Sequence, residues 1–372
     1  MPAVSYTLLI NGSPAGARLV DAIQQIEVED HAGMADMMRL SVAVGVRENG
    51  SGWNVLDDGL FGRLTSIGVT VNVGSGSAEP LIDAHVIEAN VEFSNEPGRS
   101  VLRVVAMDPT VLMNLEEKVR PWPDMADSDI ASTIFGEHGF TADVEQTQPS
   151  RQEVDHTTIQ RGTDIQFLRQ LAERNGYECY AETRGGQPLA HFHKPRLEQS
   201  AQGVLSVNMG QATNVNRFKA RYDMLRPTTA HVTGLDVETR SDQPAQVDSP
   251  SQRGLGNAPA LGGDHPRRVL LSQTGLSRTD ELQTYAQAVA DGSTWAITAE
   301  GELNTVSYGG VLRAKRPVEV RGAGRQFSGT YYAERVLHTL RGDGYTQRFS
   351  LRRNALGLTG QERFVEDMAL TS

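Results

Sequence analysis

The sequence predicts a mainly β protein with α+β insertions, and three observations carry that expectation. Short segments of alternating apolar and polar residues recur through the first hundred residues and again through the last third, each closed by Gly, Pro or Asn. Such alternation gives a strand one apolar face, so several of these segments at close spacing read as a barrel or sandwich. Helical periodicity is strong in only two places, around residue 168 and around residue 285. Finally, 37 glycines in 372 residues, with few aromatics, describe a loop-rich globular chain long enough for two to four domains.

Residues 1–108 read as six strands: Tyr6–Ile10, Ala22–Glu29, Met38–Val44, Ile67–Val73, Ala84–Phe93 and Ser100–Met107. The first is followed by an Asn11-Gly12-Ser13-Pro14 turn. Two acidic groups occur here, Asp57-Asp58 and Glu27/Glu29/Asp30. Acidic residues beside turns and on strand faces are ordinarily solvated, and both groups are expected to be so.

Residues 109–202 change character. Asp108-Pro109 opens a helical turn, Thr110–Glu117, which Arg120-Pro121-Trp122-Pro123 breaks. Asp127-Ser128-Asp129 is placed to cap a helix over Ile130–His138 that ends at Gly139. Gln146–Glu153 is polar and loop-like. Then comes the most complete local signal in the chain, IQRGTDIQFLRQLAERNGYECY, Ile159–Tyr180. Thr163 is the expected N-cap, and Asp164 places negative charge where the free N–H groups favour it. Ile165, Phe167, Leu168, Leu171 and Ala172 share one helical face, and Asn175-Gly176 supplies a left-handed stop. Tyr177–Glu182, a Gly185-Gly186 turn and Pro188–Lys194 then form a hairpin.

From Gly203 strands return over Val204–Asn208, Asn214–Tyr222 and Thr229–Val237. Ser241–His265 is rich in Pro and Gly and reads as a long loop. Its Gly254-Leu255-Gly256 and Gly262-Gly263 lack the following Lys-Ser/Thr of a phosphate cradle. Thr279–Ala296 is a helix with Leu282, Tyr285, Ala286 and Val289 on its apolar face. Ala296–Leu303, Pro317–Val320, Ala333–Leu340 and Tyr345–Arg352 are strands, the last two joined at Asp343-Gly344.

The net charge of -11 argues against a general nucleic-acid binder and against attraction to anionic membranes. The single cysteine, Cys179, makes no internal disulfide and is expected to be a small packing residue. The N-terminal apolar run lacks a basic lead and reads as a strand, and no apolar stretch reaches membrane-spanning length. His191 and His193 share one strand face, where His138 or His156 would be needed to complete a metal set. With no carboxylate or cysteine at ligand spacing, the two are expected to be exposed strand residues. No catalytic, cofactor-binding or metal-ligating set is expected anywhere in the chain.

The Thr-Asp cap followed by "FLxxLAExxG" and an aromatic strand resembles the hub proteins of contractile injection machines: phage late control protein D, the N-terminal part of VgrG proteins and the T4-like baseplate hub. A second set of motifs resembles the closing segment of that family. It comprises Val318–Gly322, Ser328–Tyr332, Val336–His338 and Gly344–Arg353, in the family's order. The positions that carry the resemblance are Thr163, Asp164, Phe167, Leu168, Leu171 and Gly176 in the helix. In the closing hairpin they are Gly329, Tyr332, His338 and Tyr345. All are expected to be structural, with His338 satisfying a buried hydrogen bond.

The resemblance implies two tube-like β-barrel domains, 1–108 and 203–240 plus 296–355, and two smaller accessory units. These are an α+β domain at 109–202 and a loop-and-helix insertion at 241–295, with a C-terminal tail at 356–372. It further implies a homotrimer adapting a hexameric inner tail-tube protein to a spike. VgrG chains continue into a spike, and this sequence ends soon after Arg353, so the spike is expected to be a separate protein. Baseplate wedge components would be further partners, with assembly in the bacterial cytoplasm and a final place in a virion tail or injection particle. Two other readings stay open at this level. One is a glycan- or effector-binding module using Trp53, Trp122 or Trp295, and the other is a tail-associated cell-wall hydrolase.

Overall fold

Alternating strands with one apolar face must bury that face, and here they do so side by side. In the computed structural model, residues 4–364 are described except 49, 75–76, 97, 148–156, 185–186, 236–240, 263–264, 273–275 and 277. Eleven strands among the described residues form one path across a large, mainly antiparallel sheet. From one edge these are Val215–Tyr222, Ile297–Asn304, Gly344–Arg353 and Gly329–Arg341, then Ile23–His31, Met37–Ala43, Val101–Met107 and Glu79–Glu92. Ser66–Val73, Val4–Ile10 and the short Ser13–Pro14 complete the path. Pro317–Arg321 branches off against Gly329–Arg341 and carries Val204–Ser206 in parallel.

A repeat lies inside this order. Ile23–His31, Met37–Ala43, Glu79–Glu92 and Val101–Met107 stand third-fourth-second-first across the sheet, numbered by chain order. Val215–Tyr222, Ile297–Asn304, Gly329–Arg341 and Gly344–Arg353 stand third-fourth-second-first as well. The irregularities also match. The first and second strands shift register between Ile23 and Gln25 in one unit and between Val215 and Arg217 in the other. The third and fourth shift between Val86 and Glu88, and between Ala333 and Arg335. Each bulge adds one residue and bends the sheet.

Each unit has its own core. Ile26, Val28, Leu40, Val69 and Val104 belong to the first, and Leu205, Val318, Tyr331, Val336 and Phe349 to the second. The helices Asp127–Glu137 and Asp164–Asn175 pack Ile130, Ile134, Phe135, Phe167, Leu168 and Leu171 against Phe192. That strand, Gln187–His193, pairs with Glu178–Arg184 and, in parallel, with Thr141–Val144. A fourth core joins the helix Thr279–Ser293 to Ala230, Val232 and Val247. No helix among the described residues is long and apolar enough to cross a membrane.

Several elements differ from the sequence expectation. A short helix, Ala17–Ala22, precedes the strand at Ile23. Glu117–Trp122 is a strand paired with Thr158–Thr163, and it keeps Pro121 because no strand among the described residues takes its other edge. Thr228–Leu235 leaves the second unit and pairs with Asp242–Val247, which lies in the stretch expected to be a long loop, and with Arg267–Leu271 just after it. The Gly185-Gly186 turn, Gly263, most of the Gln146–Glu153 segment and the C-terminal tail from residue 365 onward lie outside the described residues.

Candidate functional site

The two repeat units meet where Arg335–Arg341 pairs antiparallel with Gln25–His31, making one sheet of both. Val336, His338 and Leu340 face inward with Asp30, Val28 and Ile26, while Arg335, Thr339 and Arg341 share the opposite face with Glu29, Glu27 and Gln25. Ion pairs cross that outer face from strand to strand. Glu29 meets Arg335 at 2.6 Å and Arg39 at 3.5 Å, Glu302 meets Arg348 at 3.0 Å, and Glu92 meets Arg103 at 2.8 Å. Opposite charges on neighbouring strands fix the register more than they add stability, since exposed pairs are worth about 0–1 kcal/mol.

Beneath the junction lies a buried charge cluster. Lys315 Nζ reaches Asp30 at 2.6 Å and Asp36 at 2.8 and 2.9 Å. Asp36 in turn donates its backbone N–H to Asp108 Oδ2 at 2.7 Å, and Arg313 stands 3.4 Å from Asp30. Burial alone would raise the Asp30 carboxyl, but the charges of Lys315 and Arg313 hold it well below the carboxylate range. Burial pushes Asp36 up to about 7, with Asp30 and Asp108 adding to it against the pull of Lys315. Lys315 is held well above the usual lysine range by Asp30 and Asp36 despite its burial. Asp30, expected on a solvated face, is therefore 2% exposed and paired. Strand alternation turns it inward while Glu27 and Glu29 stay outside. Asp57 and Asp58 fit the expectation better: one accepts the Trp53 N–H at 2.6 Å, the other pairs with Arg47 at 2.6 Å.

His338 is also at this junction, fully buried, with Nδ1 2.8 Å from Tyr345 Oη. Burial, together with the Arg313 charge and against that of Asp30, pushes its imidazole down to about 3. The unfolded chain takes up that proton near pH 6.5, so acid favours unfolding. The stabilisation is complete above pH 6.5 and is lost as pH falls from 6.5 toward 3. A His338→Gln variant lacks this slope, whereas the Asp36 contribution is common to both proteins. Urea titrations should find the wild-type advantage over the variant shrinking between pH 6.5 and 4.5; a constant difference would contradict the placement.

The capped helix forms as its sequence demands. Thr163 Oγ1 accepts from Gln166 N at 3.4 Å, the Gln166 side chain returns to Thr163 N at 3.3 Å, and Thr163 donates to Asn114 at 2.8 Å. This is a capping box. Asp164 receives Lys118 and Gln160 at 2.6 Å and lies 2.8 Å from His138 Nε2. Burial alone would raise its carboxyl, but these hydrogen bonds hold it below its ordinary range. Gly176 ends the helix at φ 68°, and a Cβ there would lie 3.2 Å from that of Ala288, so the stop is also a contact with the insertion's helix.

Two arginines bind the units together. Arg352 donates to the buried Glu178 at 2.7 Å and lies over the Trp295 ring at 4.4 Å, and Tyr332 Oη donates to the same carboxylate at 2.6 Å. Arg353 is fully buried and donates to the carbonyls of Leu255 at 2.7 Å, Ser328 at 2.9 Å and Gly357. Gly329, at φ 129°, leaves room for that guanidinium, 2.5 Å from where a Cβ would be. Tryptophans follow suit: Trp122 and Trp295 are buried, and Trp53 packs against Phe93 in a tilted pair with ring centroids 4.7 Å apart.

His191 and His193 are 4% and 2% exposed, not surface residues as expected. Thr141–Val144 lies beside their strand and brings Asp143 to His191, and the Tyr180 ring stacks on His191 with centroids 4.4 Å apart. The ligand atoms of the two histidines lie within 4.8 Å of a carboxylate oxygen of Asp143. The set is already engaged: His191 bonds Asp143 at 2.9 Å and Glu182 at 3.2 Å, His193 Nδ1 bonds the Lys194 carbonyl at 2.7 Å, and Arg196 grips Asp143 at 2.7 Å. A divalent cation would have to displace these partners. His138 belongs to the Asp164 network, and His156 lies outside the described residues.

Residues 2–342 match the family described as the Alg8 N-terminal domain. The chain belongs to the Alg8 N-terminal domain family. No curated protein matches the sequence. Solved structures place the fold of this Alg8 N-terminal domain member among tail proteins. The 43 kDa tail protein of prophage MuSo2 from Shewanella oneidensis is 14% identical at a TM-score of 0.64, over 95% of this chain and 100% of that one. A tail protein from Neisseria meningitidis is 12% identical at 0.65, over 95% and 97%. A component of the Escherichia coli type VI secretion system, itself similar to phage T4 tail proteins, is 10% identical at 0.57, over 93% and 76%. The mainly β fold, and the likeness to tail and injection-machine proteins expected from the two motif sets, are therefore found.

Proposed function

We propose that the chain is a structural hub of a contractile tail or injection-machine baseplate, a homotrimer joining a hexameric inner tube to a spike. The observation that supports this reading best is the internal repeat. One chain presents two equivalent four-strand units side by side, so three copies in a ring would offer six such units to a six-fold tube. The ion-paired outer face of the sheet would line the ring. The α+β unit and the insertion, attached through Arg352, Arg353 and Gly176, would sit off the ring and serve the wedge and spike partners. No catalytic role is assigned, because the buried charged groups are engaged in joining elements to one another.

The reading is tested by co-assembly. The chain, labelled with gold, is mixed with the polymerised tube protein of the same particle and imaged. Labels should cap one end of each tube; labels scattered along the tube or absent from it would contradict the proposal.

A further inference from the structure

We infer that the segment Glu88–Ser94 of one copy pairs, in a defined antiparallel register, with Arg217–Asp223 of the next copy. The inference deepens the hub reading and takes from it only that the occupant of the open edge is a second copy. Each strand named has one edge engaged in the chain and one open. Among the described residues, the Val215–Tyr222 strand pairs only with Ile297–Asn304 and ends the sheet. Glu79–Glu92 pairs over its first half with Ser66–Val73, while from Glu88 onward only Val101–Met107, among the described residues, pairs with it.

The repeat says what belongs on these edges. The open half of Glu79–Glu92 is equivalent to Arg335–Arg341, and Val215–Tyr222 is equivalent to Ile23–His31, the two strands that already pair within the chain. Matching bulges align Glu88 with Arg335 and Arg217 with Gln25. Within the chain Leu337 opposes Glu29, His338 opposes Val28 and Thr339 opposes Glu27. The same register sets Asn90 opposite Arg221, Val91 opposite Ala220 and Glu92 opposite Lys219.

Chemistry agrees with most of that register; the exception is Glu88 directly opposite Asp223, which lies 3.4 Å from Arg221 of its own strand end. Glu88 would stand diagonal to Arg221, reproducing with reversed charges the Arg335–Glu29 pair, and Glu92 would face Lys219. On the inner face Ala89 and Val91 would meet Tyr222 and Ala220, which are now half-buried at the rim of the second core. Phe93, 56% exposed in the single chain, would come against Phe218. An edge strand this long with an apolar inner face is an aggregation hazard unless something pairs with it.

The test uses cysteine pairs in the full-length protein, where the native Cys179 is buried. Neighbouring pairs of an antiparallel ladder alternate between close and wide spacing, so Asn90→Cys/Arg221→Cys and Val91→Cys/Ala220→Cys are both made. At least one should form disulfide-linked multimers on mild oxidation, while the displaced pair Val91→Cys/Phe218→Cys should not. As a second readout, Glu88→Arg/Glu92→Lys should lower the assembled mass, and adding Lys219→Glu/Arg221→Glu should restore it. An oligomer in which neither in-register pair links, or in which the charge swap rescues nothing, would overturn this pairing and leave the hub reading standing. A monomer, alone and with tube protein, would overturn both.

Discussion

Lys315→Met should destabilise the protein by about 3–5 kcal/mol, the cost of removing one partner from a buried ion pair. The ammonium is the cation that contacts both Asp30 and Asp36, and it ties the second unit to the first through residues nearly three hundred positions apart. Without it, two carboxylates remain at 2% and 7% exposure, with backbone N–H groups and Arg313 as their main compensation. The loss should be smaller in acid, because Asp36, already pushed up to about 7, takes a proton more readily once the positive charge is gone. Lys315→Met combined with Asp30→Asn and Asp36→Asn should recover much of the stability, since a neutral cluster has no stranded charge. Guanidinium unfolding at pH 8 measures both. A single-variant cost under 1 kcal/mol would mean that the cluster is solvated rather than buried.

Leu168→Asp should be at least as damaging, on the order of 5 kcal/mol or more. Leu168 is fully buried among Phe135, Phe167, Leu171 and Phe192. Truncation to alanine at such a site costs about 2–5 kcal/mol through lost transfer energy and an unfilled cavity. Aspartate adds an unpaired charge that the helix cannot turn to water. Amide exchange should localise the damage to the Asp127–Glu137 and Asp164–Asn175 helices, with the sheet junction protected until global unfolding. A variant with native exchange at both helices would refute the packing described.

Local chemistry made part of this legible in sequence. The helix Asp164–Asn175 was readable to the residue, because its cap, apolar stripe and glycine stop are all local signals. Strands with one solvated face were readable for the same reason. What stayed hidden depends on the third dimension. Asp30 looks like Glu27 and Glu29 until strand parity turns it toward Lys315, which no local pattern announces. His191 and His193 looked exposed because the groups that engage them, Tyr180, Glu182 and Asp143, come from neighbouring strands and not from their own. Asp242–Val247 contains a proline and alternates weakly, so only its partners reveal it. The repeat is invisible as sequence similarity: Arg335 and Glu88 occupy equivalent places with opposite charge.

Closure into a ring of three, as proposed for the hub, is tested most directly by the native mass of the protein. The monomer is 40.5 kDa. Light scattering on the purified protein, alone and with its tube protein, should find a species of three times that mass in one or both samples. A particle that stays at the mass of a single chain in both would contradict the account.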